Sequence, residues 1–242
     1  MPMQRLDKIL ASQSVGSRSE VRALIKRGRV RLNGEVAKKP ELKADPETDK
    51  IEIGGELLHF KRHVYLMMNK PGGVVSASND TRMRTVIDLV PESLFRRGLF
   101  PAGRLDRDTE GLLIITDDGD FAHRMLSPKS AVYKLYEAQV SAPIGEREIA
   151  LFREGIRFQD GTSCLPAELT VLCAGETPKV QVRICEGKFH QIKKMFLAVG
   201  CKVLQLKRVK IGGLVLDEKL KPGECREMSE EERRAVFFKQ NP

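Results

Sequence analysis

Four consecutive apolar residues, Leu112-Leu113-Ile114-Ile115, follow directly on the charged turn Gly103-Arg104-Leu105-Asp106-Arg107-Asp108-Thr109-Glu110-Gly111. A strand with one face in water alternates apolar and polar residues. A run without alternation must be covered on both faces. The chain therefore has to build a sheet with material packed on either side of its interior. It must also place a turn dense in charge of both signs where that interior strand begins. A plain surface turn has no need of this composition, whereas a site that holds one ionised carboxylate beside an anionic substrate does.

From Val64 onward the periodicity predicts strands over Val64–Met68, Gly73–Ser76, Leu112–Thr116, Lys134–Val140, Leu169–Leu172, Val180–Ile184 and Val203–Val209. It predicts helices over Thr85–Leu89, Phe121–Leu126, Glu146–Glu154, Phe189–Val199 and Glu230–Phe237. Strands and helices do not alternate regularly, which argues for an α+β fold with a large mixed, mainly antiparallel sheet flanked by helices. Neither GxGxxG nor GxxxxGK[ST] occurs, so no nucleotide cofactor is expected.

Residues 1–60 form a separate expectation. Leu6, Ile9 and Leu10 repeat at helical spacing, and Ser19 offers an N-cap to a second helix carrying Val21, Leu24 and Ile25. Gly28 ends that helix. Val30 and Leu32 lead into Asn33-Gly34, a two-residue hairpin signal, with Val36 on the return strand and Ile51 and Ile53 on a further one. Residues 61–242 then make up a second domain.

The formal net charge is +9, and its distribution is informative. Six Lys/Arg face one acid between Arg18 and Arg31, and seven face one between Glu186 and Lys210. Two separated basic blocks suit an extended polyanion, which favours nucleic acid over a small phosphate ligand. The five cysteines form no CxxC pair, and no apolar run reaches the ~20 residues needed to span a bilayer. The start MPMQRLDK has no signal-peptide hydrophobic region. The expectation is a cytoplasmic monomer with reduced cysteines, no membrane association, no metal and no cofactor.

Three segments carry chemistry. In the charged turn, Asp106 lies between Arg104 and Arg107, whose charge favours an ionised carboxylate, able to act as a nucleophile or to stabilise positive charge. Asp108 and Glu110 read equally well as loop supports. In Tyr133-Lys134-Leu135-Tyr136, two of the chain's three tyrosines sit three apart on one strand, on opposite faces. One of them packs, and the other is free to stack on a base. In Glu186-Gly187-Lys188-Phe189-His190-Gln191-Ile192-Lys193, a helix opening at Gly187 places His190 and Lys193 on one face. A cation near a helix N-terminus needs a partner or an anionic ligand. His190 has no second metal ligand nearby and reads as hydrogen-bonded support.

Together these segments resemble the pseudouridine synthase family. GRLDxxTxG matches 103–111, KxY matches 134–136, the GR(x)HQ(hydrophobic)(R/K) segment matches 187–193 with Lys188 in place of Arg, and KPxGxxS matches within MNKPGGVVSA at 68–77. The first sixty residues resemble the alpha-L RNA-binding domain of ribosomal protein S4 through RLDKILA and SRSEVRALIKRGRVRLNG. The Asp108-Thr109-Glu110 form of the motif and the alpha-L module favour the small-subunit (RsuA-like) branch.

The resemblance implies the pseudouridine synthase fold and isomerisation of a ribosomal RNA uridine to pseudouridine. The RNA would be 16S rRNA or an assembly intermediate, and the uridine would be flipped out of its stack. It assigns catalysis to Asp106, Tyr136 and Lys193, with Asp106 either attacking the anomeric carbon or removing a ribose proton. RNA contacts fall to Arg104, Lys70, His190 and Gln191, and in the first domain to Arg18, Arg22, Lys26, Arg29 and Arg31. A non-catalytic RNA-binding protein would explain the charge but not the coincidence of Asp106, Tyr136 and Lys193. A nuclease would need acids beyond Asp117 and Asp118, which read as a helix start before Gly119.

Overall fold

The computed structural model describes residues 3–158 and 160–238. Contacts divide the chain into two units. The first takes the residues up to Val64 together with Phe95–Gly98, and the second takes Tyr65–Leu94 and the residues from Leu99 on.

The first unit contains β1 (Gln4–Arg5), α1 (Leu6–Ser12), α2 (Arg18–Lys26), β2 (Val30–Leu32), β3 (Glu35–Val36), β4 (Lys43–Ala44), β5 (Ile51–Ile53) and β6 (Glu56–Leu57). Leu6, Ile9 and Leu10 of α1 and Val21 and Ile25 of α2 fall on the inward stripes and close a core with Val30 and Ile51. The cap of α2 is Ser17, not Ser19. Glu20, three residues after Ser17, returns a carboxylate to the Ser17 N–H at 2.7 Å while Ser17 Oγ accepts from the Glu20 N–H at 3.3 Å. Ser19 already lies inside the first turn and has no such partner spacing. Asn33 and Gly34 both have positive φ, 53° and 87°, the backbone a two-residue hairpin needs between β2 and β3. The strands order β3-β2-β5-β6, and β1 pairs separately with β4. Among the described residues one acid is buried in this basic unit: Asp7 accepts from Arg5 Nε and Nη2, each at 3.0 Å, and from Arg22 Nε at 3.1 Å.

The second unit contains β7 (Tyr65–Lys70), β8 (Phe100–Ala102), β9 (Glu110–Thr116), α3 (Gly119–Leu126), β10 (Lys134–Val140), α4 (Glu146–Glu154), β11 (Glu168–Cys173), β12 (Lys179–Ile184), α5 (Gln191–Ala198), β13 (Val203–Ile211), β14 (Leu214–Val215), β15 (Cys225–Glu227) and α6 (Glu230–Ala235). Its sheet runs β11-β12-β10-β13-β9-β7-β15, with β14 on β13 and β8 on β9. Among the described strands only the β13–β9 pair is parallel, so the sheet is mixed and mainly antiparallel, and the fold is α+β as expected. Residues 111–116 of β9 are all buried, which accounts for the missing alternation. Leu112 and Ile114 pack with Phe121, Ala122 and Met125 of α3. Asp118 caps α3, its Oδ1 accepting from the Phe121 N–H at 3.0 Å, as the helix-start reading requires.

Three predicted elements differ in ways that bear on the site. Gly73–Ser76 is a turn with one bridge, Val75 to Thr85, because Gly72-Gly73 bends the chain back over residue 107. Thr85–Leu89 shortens to a single 3-10 turn, Ile87–Leu89. The helix predicted over Phe189–Val199 begins at Gln191, because His190 adopts the left-handed conformation (φ 54°) and ends helical geometry before it.

Candidate active site

One row of residues crosses the sheet and sets up the site. Across β10, β13, β9 and β7 the register brings Tyr136 opposite Arg208, Arg208 opposite Gly111, and Gly111 opposite Lys70. A bulge in β13 at Val209 sets the Tyr136–Arg208 match. Gly111 is required here twice over. Its φ is +98°, and a Cβ on it would stand 2.2 Å from the Arg208 carbonyl oxygen.

The charged turn enters β9 at this row and is held from below by the KPGGVVS segment. Lys70 is fully buried, and its ammonium donates to the carbonyls of Pro71 (3.0 Å), Arg107 (3.1 Å) and Thr109 (2.8 Å). Gly73 N–H donates to the Arg107 carbonyl at 2.8 Å. Ser76 Oγ accepts from Leu105 N–H at 3.1 Å and donates to the Leu105 carbonyl at 2.9 Å. Lys70, expected on RNA, is thus a strut. All three of its protons are spent on backbone and none reaches the surface. Burial pushes its pKa down to about 8, against the pull of Asp108, Glu110 and Asp106.

Held this way, the turn presents Asp106 to the loop before α5. Lys193 Nζ lies 3.1 Å from Asp106 Oδ2 and 2.5 Å from Asp108 Oδ1, and His190 Nε2 lies 3.6 Å from Asp106 Oδ1. The cation on Asp106 is therefore Lys193, distant in sequence, rather than either flanking arginine. Arg107 turns toward Met83 Sδ at 4.0 Å, and Arg104 stays exposed at the cleft. Burial works against the charge on Lys193, but its hydrogen bonds to Asp108 and Asp106 outweigh it and raise the pKa. The hydrogen bond from Lys193 holds the Asp108 carboxyl below the usual range. Asp108 is thus the lysine's second anchor.

Gln191, expected as an RNA contact, is buried and fully engaged in shaping this loop. Its Oε1 accepts from the Lys188 N–H at 2.9 Å, and its Nε2 donates to Glu186 Oε1 at 2.9 Å. Lys188 ties the same loop down by donating to the Ser163 carbonyl at 2.6 Å and pairing with Glu186 at 2.7 Å.

Asp106, Tyr136, Arg104, His190 and Lys193 line one cleft of ≈ 70 Å³ together with Lys188, Thr109 and Leu206. Tyr136 is 8% exposed, with its ring in the cleft wall. Tyr133 faces the other way under the Arg183 guanidinium, 4.0 Å from its ring centre. Arg208, 5% exposed, is a residue that sequence reasoning missed. Its Nε donates to the Leu112 carbonyl at 2.8 Å, its Nη1 donates to Tyr136 Oη at 3.4 Å, and its Nη2 is buried without a partner. A signal for it exists, since Arg208 shares the inward face of β13 with Leu206 at a spacing of two.

In the first unit Arg18, Lys26, Arg29 and Arg31 are exposed. Arg22 is exposed too, but it commits Nε to Asp7.

Residues 64–198 match the family model described as RNA pseudouridylate synthase, and residues 4–50 match the S4 domain. The chain is 45% identical to an uncharacterized RNA pseudouridine synthase of Bacillus subtilis, over 94% of this chain and 96% of that one. It is 38% identical to the ribosomal small subunit pseudouridine synthase A of Escherichia coli, over 96% of this chain and 99% of that one. Among solved structures, a pseudouridylate synthase crystal structure superposes with a TM-score of 0.67 at 36% identity, covering 96% of this chain and 99% of that one.

Proposed function

The chain belongs to the RNA pseudouridylate synthase family and is an enzyme of that class, and from that premise we propose that it isomerises a uridine of small-subunit ribosomal RNA, with Asp106 as the catalytic carboxylate. The observation that carries this reading is the Asp106–Lys193 contact of 3.1 Å at a cleft walled by Tyr136.

The reaction breaks the bond between ribose C1′ and uracil N1 and forms one between C1′ and uracil C5. N1 gains a proton and C5 loses one, so no electron or external group enters. Among the described residues Asp106 is the one carboxylate in the cleft lining, which suits it to initiate cleavage at the ribose. Lys193, charged at neutral pH, pairs with that carboxylate and orients it, with Asp108 fixing the lysine in turn. Tyr136 stacks on the uracil and holds its hydroxyl where C5 loses its proton. Arg208 donates to that hydroxyl from behind and so fixes its direction.

A uridine in folded RNA reaches this cleft only when extruded, at a cost of a few kcal/mol. Stacking on an aromatic ring returns about 1–3 kcal/mol of it. Arg104, exposed beside Asp106, takes the vacated space or the flanking phosphate. The exposed Arg18, Lys26, Arg29 and Arg31 and the S4 domain match support RNA backbone binding by the first unit. The name of the Escherichia coli relative supports the small-subunit choice.

Release of tritium from RNA labelled at uracil C5 tests the assignment. Asp106→Asn is expected to abolish release while leaving RNA affinity within a few fold, and appreciable residual turnover would remove Asp106 from the role. Comparing pseudouridine positions in small-subunit rRNA with and without the gene identifies the target. A modified position found only in large-subunit rRNA overturns the substrate choice.

A further inference from the structure

Phe189 is the most exposed large apolar side chain among the described residues, at 72%. Single surface phenylalanines need no explanation, but this one is held. Its ring stacks on His190 with centroids 3.8 Å apart and planes 19° from parallel. His190 in turn reaches to 3.6 Å from Asp106 and is kept at φ 54° by the loop that Gln191 clamps. Both chain neighbours, Lys188 and His190, line the Asp106 cleft. Lys194 Nζ, paired with Asp160 at 3.4 Å, lies 5.8 Å from the ring centre. The result is a flat aromatic step with one side against an imidazole, most of its surface in water and cations close by, at the rim of the cleft.

Extruding a uridine strips one stacking face from each neighbouring base. A fixed ring at the rim replaces that face, and nearby ammonium groups suit the attached phosphates. We propose that Phe189, backed by His190, is the stacking platform for the nucleobase adjacent to the flipped uridine in a single-stranded or looped RNA segment. The proposal rests on the reading of Asp106 as the carboxylate of a pseudouridine synthase.

The test measures kcat and KM for tritium release from an unmodified small-subunit rRNA transcript. Phe189→Ala is expected to raise KM roughly 5- to 150-fold with kcat within about twofold, the factor that losing one stacked base predicts. Phe189→Tyr keeps the plane and is expected to match wild type, while Phe189→Leu keeps apolar area without the plane and is expected to behave like Phe189→Ala. Thermal melting confirms that each variant is folded, as the exposure of the side chain leads one to expect. An abasic ribose beside the modified uridine should erase the difference between wild type and Phe189→Ala. An unchanged KM for Phe189→Ala, or wild-type behaviour of Phe189→Leu, overturns the platform while the assignment of the reaction stands. So does a defect seen only on assembled ribosomal subunits and absent on naked RNA, since it would make Phe189 a protein contact. Absence of turnover by wild type on any ribosomal RNA overturns the underlying reading instead.

Discussion

Lysine plays three physical parts in this protein, and sequence distinguishes them poorly. Lys193 is legible because its residue type sits in a motif beside a histidine and opposite a carboxylate-rich turn. Lys70 reads from sequence as a surface contact, since nothing in MNKPGG reveals that the ammonium turns inward onto three carbonyls. Lys134 gives no signal beyond its place in the tyrosine strand. It shares the inward face of β10 with Tyr136, donates to the Cys185 carbonyl at 3.4 Å, and has its pKa pushed down to about 8 by burial, with Arg208 adding to the shift. Its folded-state pKa lies below the ordinary lysine value of 10.5, so between pH 8 and 10.5 the unfolded chain binds more protons and the free energy of unfolding rises with pH. Lys134→Met removes this contribution. In urea melts at pH 8 and pH 10, its stability relative to wild type is expected to be more favourable at pH 8, and a pH-independent difference would contradict the burial argument. At Lys193 the expectation is kinetic. Lys193→Met leaves Asp106 without its cation and should lower kcat about 10²–10³-fold, a loss comparable to removing one electrostatic donor from an active site. Retained kcat in the tritium assay would show that the pairing is structural.

At the scale of elements, periodicity recovers the strands that alternate or are wholly buried, and it fails where glycine or a left-handed residue breaks the repeat. Gly73–Ser76 has strand-like composition but folds as a turn under the charged loop. The start of α5 moves to Gln191 because His190 takes a backbone that composition does not signal. The most demanding junction is the parallel step between β9 and β13, which sequence does not reveal because the partners are nearly a hundred residues apart. Gly111→Ala there sets a Cβ against the Arg208 carbonyl at positive φ. Strain at that φ adds to overpacking, for an expected loss of about 2–5 kcal/mol. Chemical denaturation measures it. A loss below about 1 kcal/mol would mean the strands can separate at this point at little cost.

For the whole molecule, the two blocks of positive charge seen in the sequence fall in different units, one on α2 and β2, the other around α5 and β13. Neutralising Arg18, Lys26 and Arg29 to Gln should flatten the dependence of log Kd on log salt by about 0.7–0.9 for each phosphate these side chains neutralise, with kcat at saturating RNA unchanged. An unaltered slope in a salt titration of rRNA binding would assign these residues to something other than the phosphate backbone. What composition does not anticipate is that Phe95–Gly98 belongs with the first unit. There the Phe95 carbonyl accepts from Ser14 Oγ at 2.9 Å, and Arg96 donates to the Lys61 carbonyl at 2.8 Å. The place of β13 between β9 and β10 has a consequence for biosynthesis. In a nascent chain that has emerged only through residue 202, β9 and β10 lack the strand that joins them, so each has an edge awaiting β13. Asp106 belongs to the β9 side and Tyr136 to the β10 side, so translation must reach β13 before the two sides of the cleft can be brought together. Alignment of the two sides of the cleft therefore follows the pairing of β13 with both β9 and β10. Until then the two open edges are the surfaces a chaperone would have to shield.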